Sequence, residues 1–190
     1  MSVLLTVKDL SVGYSHSLQR DLSFSLNEGE ILFVRGRNGS GKSTLVKTLT
    51  GQVSKLSGEF QWLVDSKDVS LLPQLISNEY PVSITLFEIL DCFNLSDQVK
   101  SFLPVHLKDR KFNDASGGER QKAIILSRIQ KNTKVLILDE PFNHLDTQTI
   151  SDVINFIKVL IDSKIISGVV IISHIDIKND FSHLRELVLT

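Results

Sequence analysis

The chain has 190 residues, which fits one domain of ordinary size, and its 42% apolar content is enough to build a buried core. Its 21 basic and 22 acidic side chains are mixed along the sequence to a formal charge of −1, which offers no basic stripe to a nucleic-acid backbone, so no nucleic-acid partner is expected. The amino terminus MSVLLTVKDL carries neither a basic leader nor a small-residue cleavage site, and no apolar run approaches the ~18–20 residues that cross a bilayer, so a soluble protein is expected.

In chain order, VLLTVKDL and RDLSFSLNEG alternate apolar and polar residues on either side of a turn-rich link, the pattern of antiparallel strands at one side of the fold. EILFVR runs directly into GRNGSGKS, and LVKTLTGQV then carries helical spacing until Gly51 offers a stop. This is strand, loop, helix. EFQWLV and DVSLLPQ read as two further strands. LFEILDCF and DQVKSFL read as short amphipathic helices in a polar-bounded middle region, which predicts a small helical lobe over about residues 75–130. The single cysteine, Cys92, excludes an internal disulfide and a multi-cysteine metal site, and its apolar neighbours predict a buried structural thiol in a reducing, cytoplasmic setting. KVLILDE and SGVVIISH are buried-strand patterns, and TISDVINFIKVLIDS between them has the length and period of a crossover helix. The alternation predicts an α/β fold, with a mainly parallel central sheet, helices on both faces and an antiparallel β part, all within one domain spanning residues 1–190.

GRNGSGKS satisfies G-x-x-x-x-G-K-[ST] and stands between an apolar strand and a helix, where a phosphate-binding loop must stand. Its glycines let backbone N–H groups turn inward around an anion, and the helix that follows presents its positive end to the same place. Polyphosphate is the expected guest. Lys42 would reach the β and γ phosphates and the Ser43 hydroxyl would be a ligand of Mg²⁺.

VLILDE places Asp139 and Glu140 at the carboxyl end of an apolar strand. Capping of the next turn is one reading; the other is that a parallel sheet binds its ligands at strand ends. Beside a phosphate loop, Asp139 fits the role of holding Mg²⁺ and Glu140 that of polarising an attacking water. His174 ends the next buried strand. It reads either as a satisfied structural histidine or as a group that hydrogen-bonds phosphate oxygen and water, orienting the nucleophile without being charged.

Ser116, Gly117 and Gly118 precede a second helix-forming run, GERQKAIILSRIQ. An N-cap, with Ser116 accepting from first-turn N–H groups, is one explanation. Two glycines are more than a cap needs, and they leave N–H groups free to approach an external oxygen, so nucleotide contact is the sharper reading.

Taken together, these motifs resemble an ATP-binding cassette (ABC) ATPase over nearly the whole chain. GRNGSGKS resembles the Walker A loop, Gln74 in LLPQ the Q-loop, ASGGE the signature, VLILDE the Walker B strand, PFNHLD with Asp146 the D-loop, and His174 in ISHID the switch histidine. The resemblance assigns nucleotide contact to Gly36, Arg37, Asn38, Gly39, Ser40, Gly41, Lys42, Ser43 and Thr44, and to Ser116, Gly117, Gly118, Glu119 and Asp146. It makes Gln74 a sensor that links Mg²⁺ to the helical lobe, and it puts Tyr14 in SVGYS where an aromatic ring stacks on adenine; packing of Tyr14 on its own strand is the plain alternative. It implies that ATP and Mg²⁺ are bound between two cassettes associated head to tail, the signature of one closing on the ATP held by the other, with coupled hydrolysis.

The resemblance further implies a separate membrane subunit docking near Leu75 to Leu90, and a place on the cytoplasmic face of the inner (plasma) membrane. Within the family, the compact length, with its shortened lobe and no regulatory extension, is similar to haem-exporter ATPases, and LPQ to YPVSITLFEIL is similar to metal-ion importers. The alternative is a soluble cassette acting in translation or DNA maintenance, for which NHLD is similar to the D-loop of the translation branch. Ala115 stands where leucine is usual, Glu119 where glutamine is common, and Arg37 where proline is frequent.

Overall fold

The computed structural model describes residues 2–74, 83–93, 95–175 and 184–189. The alternating segments at the amino end become β1 (Val3–Gly13) and β2 (Ser17–Asn27), antiparallel with Val7 opposite Phe24. β3 (Ile31–Gly36) then leads into α1 (Lys42–Leu49), whose last turn is closed by the Gly51 N–H donating to the Thr48 carbonyl at 3.0 Å. β4 (Ser57–Trp62) returns to the free edge of β1, with Val7 opposite Phe60, and completes a three-stranded sheet in the order β2-β1-β4.

The remaining elements are β5 (Val69–Leu72), α2 (Leu86–Asp91), α3 (Asp97–Lys100), α4 (Gly117–Ser127), β6 (Val135–Asp139), α5 (Thr147–Asp162), β7 (Gly168–Ser173) and β8 (Leu184–Leu189). Five strands form a parallel sheet in the order β5-β6-β7-β3-β8. Strands covered on both faces need apolar side chains in every position. Accordingly all six residues of β7, the first four of β6 and the first four of β3 are buried.

Alternate residues of these strands feed two cores. Leu32, Val34, Ile137 and Ile172 pack with Leu45 and Val46 of α1 and with Leu5 and Leu10 of β1. Phe33, Leu136, Leu138 and Ile171 pack on the opposite face with Ile125 of α4, Ile154 and Ile157 of α5, and Leu86 and Leu90 of α2. Helices therefore cover both faces. In α5 the buried residues are Ile150, Val153, Ile154, Ile157, Leu160 and Ile161, the spacing of one helical stripe.

Two local expectations need revision. Cys92 is exposed. It follows α2, whose inward stripe is Leu86, Ile89 and Leu90; the thiol stands off that stripe, so apolar neighbours in sequence are not neighbours in space. β8 is an additional strand that the sequence reading left unassigned. Its Arg185 and Glu186 hide a strand pattern, and both are neutralised by pairing: Arg185 lies 2.9 Å from Glu30 and Glu186 lies 2.7 Å from Arg35 on the neighbouring strand. No helix among the described residues is long and apolar enough to cross a membrane.

Candidate functional site

The carboxyl ends of β3, β6 and β7 point to one cleft, because all three strands run parallel in adjacent positions. The cleft has a volume of about 380 Å³ and is lined by Asn38, Gly39, Gly41, Lys42, Ser43 and Thr44 of the loop and α1, together with Gln74, Glu140 and His174. Residues as far apart in the chain as Leu18 and His174 thus meet at one surface. Asn143 and Leu18 complete the lining and were not singled out from the sequence; Asn143 lies inside PFNHLD, whereas Leu18 carries no sequence signal beyond its place in β2.

The loop needs its glycines for conformation at one point above all. Gly41 caps α1 with φ of 89°, in the left-handed region, and a Cβ there would stand 3.1 Å from Leu18. This turn frees the first amides of α1 to face the cleft, where the helix presents its positive end. Lys42 is nearly buried, and its ammonium donates to the carbonyls of Gly36 at 2.7 Å and Arg37 at 3.0 Å, with Glu140 Oε1 3.8 Å away. A buried cation bordering the cleft favours an anion there. The Ser40 hydroxyl is buried without a hydrogen-bond partner among the described residues.

Glu140 is the most constrained side chain in the cleft. Its backbone has φ of 51°, unusual for a residue with a branched-off carboxylate, and its N–H donates to the Ile172 carbonyl at 2.8 Å. Its Oε2 accepts from the Ser173 hydroxyl at 3.2 Å and from the His174 N–H at 3.4 Å, and lies 2.9 Å from His174 Nδ1. Three groups of β7 and its end therefore fix one oxygen. Oε1 is left facing Lys42 and the cleft. Because an ionised carboxylate only accepts, the proton of a neutral His174 belongs on Nδ1, and Nε2 is then an acceptor. This narrows the sequence expectation: a neutral His174 held by Glu140 can accept from a water, and donating to a phosphate oxygen as well requires protonation or release from Glu140. Ser173, which orients the carboxylate, is a contributor the sequence reading missed.

Asp139 sits one residue earlier and is bonded by the Ser43 hydroxyl. Burial pushes its carboxyl above the usual carboxylate range and the negative Glu140 beside it adds to the push, while Ser43, Lys42 and Lys47 pull back less. A raised folded-state value means that the folded chain binds this proton more tightly than the unfolded one. The ionised form thus weighs against folding increasingly as pH climbs from ~3.9 through the raised value. Asp139→Asn is expected to stabilise the nucleotide-free protein to urea at pH 7, with the gain shrinking toward pH 4. A variant destabilised equally at both pH values would contradict this account.

The second glycine-rich turn does not line the cleft. Ser116 caps α4, its hydroxyl accepting from the Glu119 N–H at 3.3 Å while Glu119 Oε2 accepts from the Ser116 N–H at 2.9 Å. The cap reading holds, and the amides of Gly117 and Gly118 still lack an intrahelical acceptor, as first-turn amides must. The glycines have a further reason: a Cβ at Gly117 would stand 2.7 Å from Leu145, and one at Gly118 2.8 Å from Thr149. They let α4 start close against the beginning of α5. Ala115 is buried in the same core as α4. Asp146 caps α5, accepting from the Thr149 N–H at 2.9 Å and the Thr149 hydroxyl at 2.7 Å; those bonds hold its carboxyl below the usual range. Tyr14, in the turn between β1 and β2, is 58% exposed and stands apart from the cleft lining, as do Gly36, Arg37 and Ser40.

Comparison with known proteins agrees with this geometry. Residues 19–143 match the family model described as ABC transporter. An ABC transporter ATP-binding protein of Clostridium tetani is 31% identical over 206 aligned positions, covering 95% of this chain and 46% of that protein. The chain thus spans less than half the length of that relative. The zinc import ATP-binding protein ZnuC of Hydrogenovibrio crunogenus is 28% identical over 191 positions, covering 91% of this chain and 73% of that one. Among solved structures, a metal-chelate type ABC transporter in an inward-facing conformation superposes with a TM-score of 0.73 at 28% identity, over 91% of this chain and 74% of that chain. With the phosphate loop, the acidic strand end and the histidine meeting in one cleft of this fold, the chain belongs to the ABC transporter family, as one of its ATP-binding cassettes.

Proposed function

We propose that this cassette binds Mg²⁺-ATP and hydrolyses it as a head-to-tail pair, driving transport through a separate membrane subunit. One observation carries the reading. Lys42, Gln74, Glu140 and His174 line a single cleft, whereas Ser116, Gly117, Gly118, Glu119 and Asp146 lie outside it. A second copy of the chain would bring that turn onto the γ-phosphate, and its free amides and helix end suit an anion.

In this reading the loop amides from Gly39 to Ser43 and the Lys42 ammonium bind the polyphosphate, with Asn38, Ser40 and Thr44 shaping the loop, Arg37 at its rim and Tyr14 beside the adenine. Glu140, its Oε2 tied by Ser173 and His174, directs Oε1 at a water and takes up its proton as the oxygen attacks the γ-phosphorus and the bond to the β-phosphate oxygen breaks. His174 Nε2 accepts from the same water. The residues present fit Mg²⁺: Asp139 has a buried oxygen without a hydrogen-bond partner among the described residues, beside the Ser43 hydroxyl. Hard oxygens in this small number suit a cation that keeps much of its water shell. Ser43 and Asp139 would hold it, with Gln74 completing the set, and Mg²⁺ would supply neutralisation of the phosphate charge.

Of the docking stretch Leu75 to Leu90, residues 75–82 lie outside the described residues. Leu86, Ile89 and Leu90 face the cassette's own core, so docking falls to the exposed side around Ser83 and Glu88. The cassette would then sit on the cytoplasmic face of the membrane, and cargo would be bound by the other subunit. The test is kinetic and biochemical: ATP turnover is expected to be cooperative in ATP and to rise more steeply than linearly with protein concentration, and the native protein to co-purify with a membrane protein. First-order, non-cooperative turnover, or recovery only with ribosomes or DNA, would overturn the reading.

A further inference from the structure

The phosphate loop is also held from outside the cleft. The helix ladder of α1 begins with the Leu45 N–H donating to the Gly41 carbonyl at 2.8 Å, so the Ser40 carbonyl lies outside that ladder. It accepts instead from the side-chain amide of Gln19, on β2 of the antiparallel sheet, at 2.9 Å. Gln19 is only 7% exposed and does not line the cleft. The β2 backbone is built for this reach. Val12 of β1 stands opposite Gln19 and Gly13 opposite Ser17, which leaves Leu18 as the extra residue of a β-bulge. Successive side chains of a regular strand point to opposite faces, yet a Cβ at Gly41 would stand 3.1 Å from Leu18 Cβ and 3.4 Å from Gln19 Cγ. The bulge thus lets two consecutive residues close on one glycine: Leu18 enters the cleft lining, and Gln19 reaches the loop backbone.

We propose that Gln19 is a positioning residue for the phosphate loop, holding the peptide between Ser40 and Gly41 so that the Gly41 N–H is preset for a polyphosphate oxygen. A trans peptide is planar, with its C=O and N–H pointing in opposite directions, so the grip that draws the Ser40 oxygen toward β2 turns the Gly41 N–H away from β2. Gly41 lines the cleft. The peptide needs an outside hold because its neighbours give it little: Gly39 and Gly41 have φ of 84° and 89°, and with no Cβ either can rotate at low cost. The Ser40 hydroxyl makes no hydrogen bond among the described residues. Lys42 grips the loop as well, at Gly36 and Arg37, but its ammonium is the group proposed to meet the phosphates. The Gln19 amide, set outside the cleft lining, keeps its bond when the cleft fills. The inference rests on the proposed binding of polyphosphate by the loop amides, and on neither hydrolysis nor pairing of cassettes.

Gln19→Met keeps the length and the buried stem and removes the amide, so it tests the bond alone. Calorimetric titration with Mg²⁺-ATP, Mg²⁺-ADP and inorganic tripolyphosphate is expected to show all three bound roughly two- to tenfold more weakly, the weight of one hydrogen bond that presets a site, with kcat at saturating ATP unchanged. Unchanged affinities refute the role. A loss confined to ATP and ADP would put the effect of Gln19 on the nucleoside and refute it too, as would a fall in kcat, or in binding stoichiometry, at equal affinity. Should the variant not fold, crystal structures of the wild-type protein with and without Mg²⁺-ADP decide. The Gln19 amide must stay within hydrogen-bond distance of the Ser40 oxygen in both, with the Gly41 N–H on a phosphate oxygen in the loaded one; a released or flipped peptide overturns the inference. Wild-type protein that binds tripolyphosphate but does not hydrolyse ATP would sink the proposed function and leave the role of Gln19 standing.

Discussion

Glu140→Gln is expected to bind ATP as tightly as the parent and to lose hydrolysis by roughly 10²–10⁴-fold, the usual weight of a positioned general base. The amide keeps the shape and retains an oxygen for Ser173 and His174, which now hold the carboxylate at 3.2 and 2.9 Å, so the loop and its lysine are undisturbed. What is removed is the basicity of Oε1. If the proposed head-to-tail pairing holds, nucleotide would persist at the interface and the variant should accumulate as a dimer in saturating Mg²⁺-ATP, measurable by sedimentation or light scattering against the parent. A variant that stays monomeric with ATP bound would count against head-to-tail association, while one that retains turnover would show that another group activates the water.

Lys42→Ala should abolish high-affinity nucleotide binding. The side chain is nearly buried and its ammonium is held by the carbonyls of Gly36 and Arg37 beside the cleft proposed to take the phosphates. Truncating one partner of a buried charged contact typically costs ~2–5 kcal/mol, so ATP affinity is expected to fall by roughly 30-fold to several thousandfold. Calorimetric titration in the presence of Mg²⁺ reads this directly. A thermal melt of the same sample checks that the fold survives the loss of the buried ammonium. Undiminished ATP affinity would contradict the assignment of the loop. The two variants separate binding from chemistry: one leaves a loaded site that does not react, the other a reactive carboxylate with nothing to act on.

The cooperativity test bears on a different part of the molecule. Ser116 and Glu119 cap α4 in both a transporting and a purely structural role, and Asp146 caps α5 in the same way. A cap is satisfied within one chain, whereas a phosphate contact from the same turn needs a second chain. Only a property of the pair, such as steeper than linear dependence on protein concentration, separates them.

The groups that line the cleft were legible in the sequence wherever they stand on consecutive residues. GRNGSGKS after an apolar strand, and an acidic pair ending VLILDE, announce their positions at strand ends because strand, turn and helix are local consequences of side-chain period and glycine placement. The parallel sheet was legible for the same reason, since unbroken apolar runs such as GVVII have no other place than a doubly covered strand. Features that depend on which strands lie side by side were not. The order β5-β6-β7-β3-β8 sets Asp139 opposite Ile172, which is what lets Ser173 and His174 grip Glu140 across 33 and 34 residues of chain. The exposed Cys92, the charged edge strand β8 and the approach of Gly118 to Thr149 are likewise matters of neighbours in space. A motif states which groups are available at a turn; packing decides which of their atoms are already bonded and which remain to meet a nucleotide, a water or another copy of the chain.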